Sequence, residues 1–143
     1  MNRRSLTLAA VTAFAIGSPL QAANDVSSAD AKAVRALIEA QLAAFARDDA
    51  TKAYSLAAPA IQTIFANPDR FLAMVRDSYP VVYRPASVSF LQPEWIDGKL
   101  IQRVQMADAA GAPWMVAYEV ERQPDRSWRI AGCVAARGQG RST

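Results

Sequence analysis

Apolar residues recur at helical spacing through the first half of the chain and alternate with polar ones through the second. Val34, Leu37, Ile38, Leu42 and Phe45 form one apolar stripe, with Lys32, Arg35, Glu39 and Arg47 mostly off it. Ser27 is placed to cap this helix, and Asp30 puts a carboxylate near its positive end. Asp48-Asp49 closes the helix and caps a second, whose buried side is Ala53, Tyr54, Leu56 and Ala57. Pro59 starts a third turn through Ile61, Ile64 and Phe65. Asn67-Pro68-Asp69 combines a cap, a first-turn proline and an acid, and so predicts a helix carrying Phe71, Leu72, Met74 and Val75 to about Ser78. Residues 79–85 read as an extended connector. No internal repeat or domain linker is present.

Strand-like runs cover residues 86–96, 99–108, 113–123 and 127–136. Asp97-Gly98 is a two-residue hairpin turn, and Pro93 marks a bulge or an edge. With Val104 opposite Tyr118 and Val120 opposite Ile130, one register yields an apolar face and a charged face together. Met106 and Val134 then each face Val116, and Tyr118 faces Gly132. On the other side Arg103 pairs with Glu119 and Glu121 with Arg129, while Arg122 meets Trp128. The expected architecture is α+β: three to four N-terminal helices packed in a curved four-stranded antiparallel sheet.

The segment before this domain reads as a signal peptide over residues 1–23. It has a basic start at Asn2-Arg3-Arg4, an apolar stretch from Leu6 to Ile16, a break at Gly17-Ser18-Pro19, and small residues at Ala22-Ala23. Thr7 interrupts the apolar residues after the arginine pair, which favours an ordinary basic start over a twin-arginine signal. The expectation is a periplasmic or secreted product with no membrane anchor, a single domain at 24–137 and a disordered tail at 138–143. Removing Arg3 and Arg4 leaves 14 basic residues against 13 acidic, a net charge of +1, so nucleic-acid binding gains no support. A single cysteine, Cys133, rules out an internal disulfide; it reads as a small buried residue of the last strand.

Phe45-Ala46-Arg47-Asp48-Asp49 and Ser127-Trp128-Arg129-Ile130-Ala131-Gly132 resemble segments of the nuclear transport factor 2-like fold, a superfamily that includes SnoaL-like and ketosteroid isomerase-like proteins. More closely, residues 70–76, 79–85 and 128–133 resemble a bacterial family, domain of unknown function 4864. The resemblance spans about residues 30 to 136. It implies a cone in which a curved sheet wraps the helices, and it assigns no catalytic residue.

The chain has no histidine, which removes Ser-His-Asp triads, Cys-His nucleophiles and histidine-ligated zinc sites. Asp48-Asp49 reads as a pair of caps. Glu119 and Glu121 fall on the outer face, so no acid is expected inside the cone. That leans against acid–base catalysis, though Tyr54, Tyr79, Tyr83 and Tyr118 could donate protons. The expected function is non-catalytic binding of a small apolar or amphipathic ligand by Tyr54, Phe71, Met74, Tyr118 and Trp128, without metal or cofactor. Phe45 is expected to converge on the same interior, and the chain to be a monomer or weak dimer. The alternatives are an enzyme of isomerase or hydratase type, or a protein-interaction module whose cone is filled.

Overall fold

The computed structural model describes residues 25–138; the expected signal peptide (1–23) and most of the expected disordered tail (138–143) lie outside them. The chain runs as helices α1 (Ser28–Ala46), α2 (Ala50–Ser55), α3 (Pro59–Phe65), α4 (Pro68–Ser78) and α5 (Pro80–Tyr83). Strands β1 (Ser87–Phe90), β2 (Glu94–Ile96), β3 (Lys99–Ala107), β4 (Pro113–Arg122) and β5 (Trp128–Arg137) follow. The fold is α+β, helices first and then one antiparallel sheet.

The caps lie where the residues predict them. Ser27 Oγ accepts from the Asp30 N–H at 3.1 Å, Asp49 Oδ1 from Lys52 at 3.0 Å, and Asn67 Oδ1 from Arg70 at 2.9 Å. Asp48 takes the left-handed conformation, φ 56°, that ends α1 before Asp49 caps α2. Segment 79–85 is not an extended connector throughout, because residues 80–83 form α5. Pro80 presets a helical φ at the first position. Val81 and Val82 are both buried, which a helical turn permits for neighbours and an extended strand, pointing them to opposite faces, does not.

The first strand-like run is split, so the sheet has five strands rather than four. From Phe90 opposite Val104 to Glu94 opposite Ile101, four steps on the edge span three on β3, and Pro93 lies in that bulge. Asp97 and Gly98 both have positive φ, 50° and 77°, and join β2 to β3 as a two-residue turn.

The β3–β4 register is displaced by two residues from the expected one: Val104 faces Val116 and Tyr118 faces Gln102. Arg103 accordingly faces Ala117, not Glu119, and Met106 faces Trp114. A two-residue shift preserves faces, so Leu100, Gln102, Val104, Met106, Val116, Tyr118 and Val120 are all buried. Asp108 sets the turn: its carboxylate accepts from the N–H groups of Ala110 (3.0 Å) and Ala112 (2.9 Å) and from Trp114 Nε1 (2.9 Å).

Between β4 and β5 the pairs Arg122–Trp128, Glu121–Arg129 and Val120–Ile130 hold as expected. A bulge then inserts Ala131. Glu119 rather than Tyr118 meets Gly132, Tyr118 meets Cys133, and Val116 meets Ala135. Val134 is thereby turned outward and is 67% exposed. On the outer face Glu119 pairs with Lys99 at 3.3 Å, Arg103 with Glu94, and Arg129 donates to the Ser55 carbonyl. The charges stay outside, but only the Glu121–Arg129 juxtaposition of the expected ladder remains.

Candidate functional site

The helices cover the sheet's inner face unevenly, and a cavity of about 330 Å³ remains between them. α1 supplies Gln41 and Phe45, α4 supplies Phe71, Met74 and Val75, and Tyr79 and Val82 follow from the next turn. The sheet supplies Tyr118 from β4 and the consecutive residues Ile130, Ala131, Gly132 and Cys133 from β5. A regular strand shows alternate residues to one side. Four consecutive residues border this hollow because the bulge at Ala131 breaks that alternation.

α3 completes the wall with Ile61, Ile64 and Phe65. None of its residues is buried, and Ile64 is 72% exposed, so the helix rests over the hollow instead of filling it. Its ends are anchored differently. The Ala58 N–H donates to Ile130 O at 2.8 Å, whereas at the far end Ala66 adopts φ 64°, an uncommon conformation for alanine. The apolar side expected for this helix therefore covers a cavity and is not core.

Phe71 is the pivot of the aromatic wall, with ring centroids 6.0 Å from Phe45 and 5.7 Å from Phe65. Of the five residues expected to bind ligand, Phe71, Met74 and Tyr118 border the cavity. Tyr54 and Trp128 do not. The Tyr54 ring packs against Phe71 at 5.9 Å, and its hydroxyl donates to Gln62 O at 2.6 Å, which ties it to α3. Trp128 lies at the other end of the sheet, 6.4 Å from the Trp95 ring and 5.4 Å from the Arg122 guanidinium.

Two groups give the cavity its chemistry. The Tyr118 hydroxyl is wholly buried and has no hydrogen-bond partner, an uncommon state for a hydroxyl in a folded interior. Burial holds its ionisation well above the usual tyrosine range, and neighbouring Cys133 adds to the effect. Burial likewise pushes the Cys133 thiol up to about 12. Both are neutral at ordinary pH. Gln41, buried on α1, donates from Nε2 to Ala53 O at 3.2 Å. The hydrophobic pattern held a signal for it: Gln41 interrupts the α1 stripe four residues after Leu37 and four before Phe45. Cys133 could not be placed that way, because its facing depends on the bulge.

Among the described residues no charged side chain borders the cavity. Asp48 is engaged at the end of α1, where Tyr83 donates to it and Arg84 reaches it at 3.3 Å while also binding Phe45 O. Among the described residues no group of three His, Cys, Asp or Glu side chains could hold a metal ion. Nor is any helix there long and apolar enough to cross a membrane.

Residues 27–143 match the family described as domain of unknown function (DUF4864). The chain belongs to that family. No curated protein and no solved structure matches it significantly. For DUF4864 the cavity thus supplies a chemical reading where the family's description supplies none.

Proposed function

We propose that this DUF4864 chain is an exported binding protein that takes a small apolar molecule between the sheet and α3. The observation that carries the reading is the hollow itself. Its volume, about 330 Å³, lies at the lower end of the roughly 300–1,000 Å³ range of small-molecule sites. Its wall is apolar apart from the side chains of Gln41, Tyr79, Tyr118 and Cys133. A packed interior is expected to close a void of that size, since a void forfeits contacts on every wall atom. The basic and apolar pattern of residues 1–23 supports export to the periplasm or beyond. The helices-then-sheet order supports kinship with the nuclear transport factor 2-like superfamily.

An enzyme of isomerase or hydratase type on the same site would need a proton acceptor. The charge-free wall supports binding over catalysis. Thermal unfolding of the mature chain with tetralin, a compact bicyclic hydrocarbon, tests the proposal. Binding to the native state alone at a hundredfold excess over Kd stabilises by about 2.7 kcal/mol. A saturable rise in Tm is expected; an unchanged Tm up to the solubility limit overturns the proposal.

A further inference from the structure

Gln41 is fixed at the cavity wall by one end of its amide and left unpaired at the other. It lies on α1 between Leu37 and Phe45, only 4% exposed, and its Nε2 donates to the Ala53 carbonyl at 3.2 Å. A carbonyl only accepts, so that bond sets which end of the amide is nitrogen and which is oxygen. Among the described residues nothing donates to Oε1. Of the partnerless side-chain polar atoms in the described interior, only the Tyr118 hydroxyl is closed to water. Oε1 is therefore open, and the space it opens onto is the cavity that Gln41 borders. The wall's other polar groups discriminate less. The Tyr118 hydroxyl is sealed off from any ligand, and the Cys133 thiol is a weak donor. The Tyr79 hydroxyl, on a half-buried side chain and without a partner among the described residues, donates as readily as it accepts. Gln41 Oε1 can only accept.

Resting on the binding role proposed above, we infer that the cavity selects a compact apolar molecule carrying one hydroxyl, an alcohol or a phenol, which donates a hydrogen bond to Gln41 Oε1. A ligand without a donor strips water from that oxygen and gives nothing back, whereas an alcohol replaces the lost bond. Gln41 thus has two roles: its N–H ties α1 to α2, and its carbonyl reads the ligand. The Ala53 carbonyl also accepts from the Leu56 N–H at 3.3 Å, so removing the amide leaves Ala53 bonded. The size of the hollow limits the apolar body to something like a fused pair of rings.

The test compares three probes on one bicyclic frame: tetralin, the alcohol 1-tetralol, which donates, and the ketone 1-tetralone, which only accepts. Affinities are measured by thermal shift with residues 24–143 of the wild type and of Gln41→Met, a change that keeps the length of the side chain. The alcohol is expected to bind wild type about tenfold more tightly than the ketone or the hydrocarbon, the size of one ordinary hydrogen bond. In Gln41→Met that preference should vanish, while tetralin binds at least as tightly as before. In wild type the NMR signals of the Gln41 side-chain amide should move further with the alcohol than with tetralin.

A ketone bound as tightly as the alcohol, as the Tyr79 hydroxyl or the second hydrogen of Gln41 Nε2 would permit, overturns the inference while leaving a binding role intact. Tetralin bound as tightly as the alcohol does the same, and so does an alcohol preference that survives in Gln41→Met. If Gln41→Met fails to fold, the amide signals decide: an alcohol that binds without moving them further than tetralin does overturns the inference. If none of the three probes shifts wild type, the binding role and this inference fall together.

Discussion

At one end of the sheet's inner face Trp128 lies against Trp95 and Val120 stands opposite Ile130; at the other, Tyr118 and Cys133 border a hollow. Both ends belong to the same two strands, β4 and β5. At the first end β5 alternates regularly and is tied to the helical layer: the Ile130 N–H donates to Leu56 O at 2.9 Å, and Ile130 O accepts from Ala58. At the second end the extra residue Ala131 resets the alternation, so that Cys133 points inward and Val134 outward. The interior there receives a thiol where an unbroken strand would have delivered a valine. One inserted residue thus separates a packed end from an open one, with the candidate site at the second.

The largest expected effect breaks the packed end. Trp128→Ala should cost about 3–5 kcal/mol by chemical denaturation, because the ring is buried against Trp95 and Arg122. The folded fraction should still bind tetralin with unchanged affinity. Loss of binding in correctly folded protein would show that the two ends are not separable.

Next, Cys133→Leu fills the open end. If the hollow is real, the larger side chain adds apolar contact, worth up to about 1 kcal/mol at ~0.8 kcal/mol per buried methylene, and abolishes tetralin binding. A loss of 1–3 kcal/mol, the usual cost of overpacking, would mean that no hollow exists in solution.

A smaller, pH-dependent effect follows from the same thiol. Its ionisation is raised by burial in the folded state, so its contribution to stability is complete below the unfolded-state pKa of about 8.5. That contribution is lost as pH rises toward about 12. Urea unfolding between pH 7 and 11 should show stability falling above about 8.5, less steeply in Cys133→Ala. Tyr118, raised in the same sense, should keep part of the slope in that variant. Equal slopes in the two proteins would place Cys133 in contact with solvent.

The smallest effect belongs to the outer face. Glu119→Gln removes one member of an exposed pair with Lys99 and should change stability by less than about 1 kcal/mol in denaturant titrations. A larger loss would mean that the charge ladder, not the inner packing, holds β4 in register.

The pattern of residues foretold the packed end better than the open one. Caps at Ser27, Asp49 and Asn67, the Asp97-Gly98 turn and the pairs from Arg122–Trp128 to Val120–Ile130 rest on local chemistry. The β3–β4 register was legible only to its face, since alternation is blind to a two-residue slip and the Asp108 turn decides the rest. The bulge leaves no mark in composition, so the pattern sets Gly132 opposite Tyr118 rather than Glu119. Its hydrogens in fact lie beside Glu119, where an added Cβ would sit 3.5 Å from Oε2. Phe71, Met74 and Tyr118 could be placed at the cavity because each lies on an apolar face before the chain breaks its period. Tyr54 and Trp128 share such faces too, and only the third dimension moves them away.

The most direct test of the account is a methyl-resolved NMR titration of residues 24–143 with tetralin. Saturable shifts are predicted at Met74, Val75, Ile61 and Ile64, which border the cavity, and none at Val88, Ile96 or Val134, which are exposed elsewhere. Shifts confined to those exposed methyls, or no saturable shift at Met74 and Val75, would contradict it.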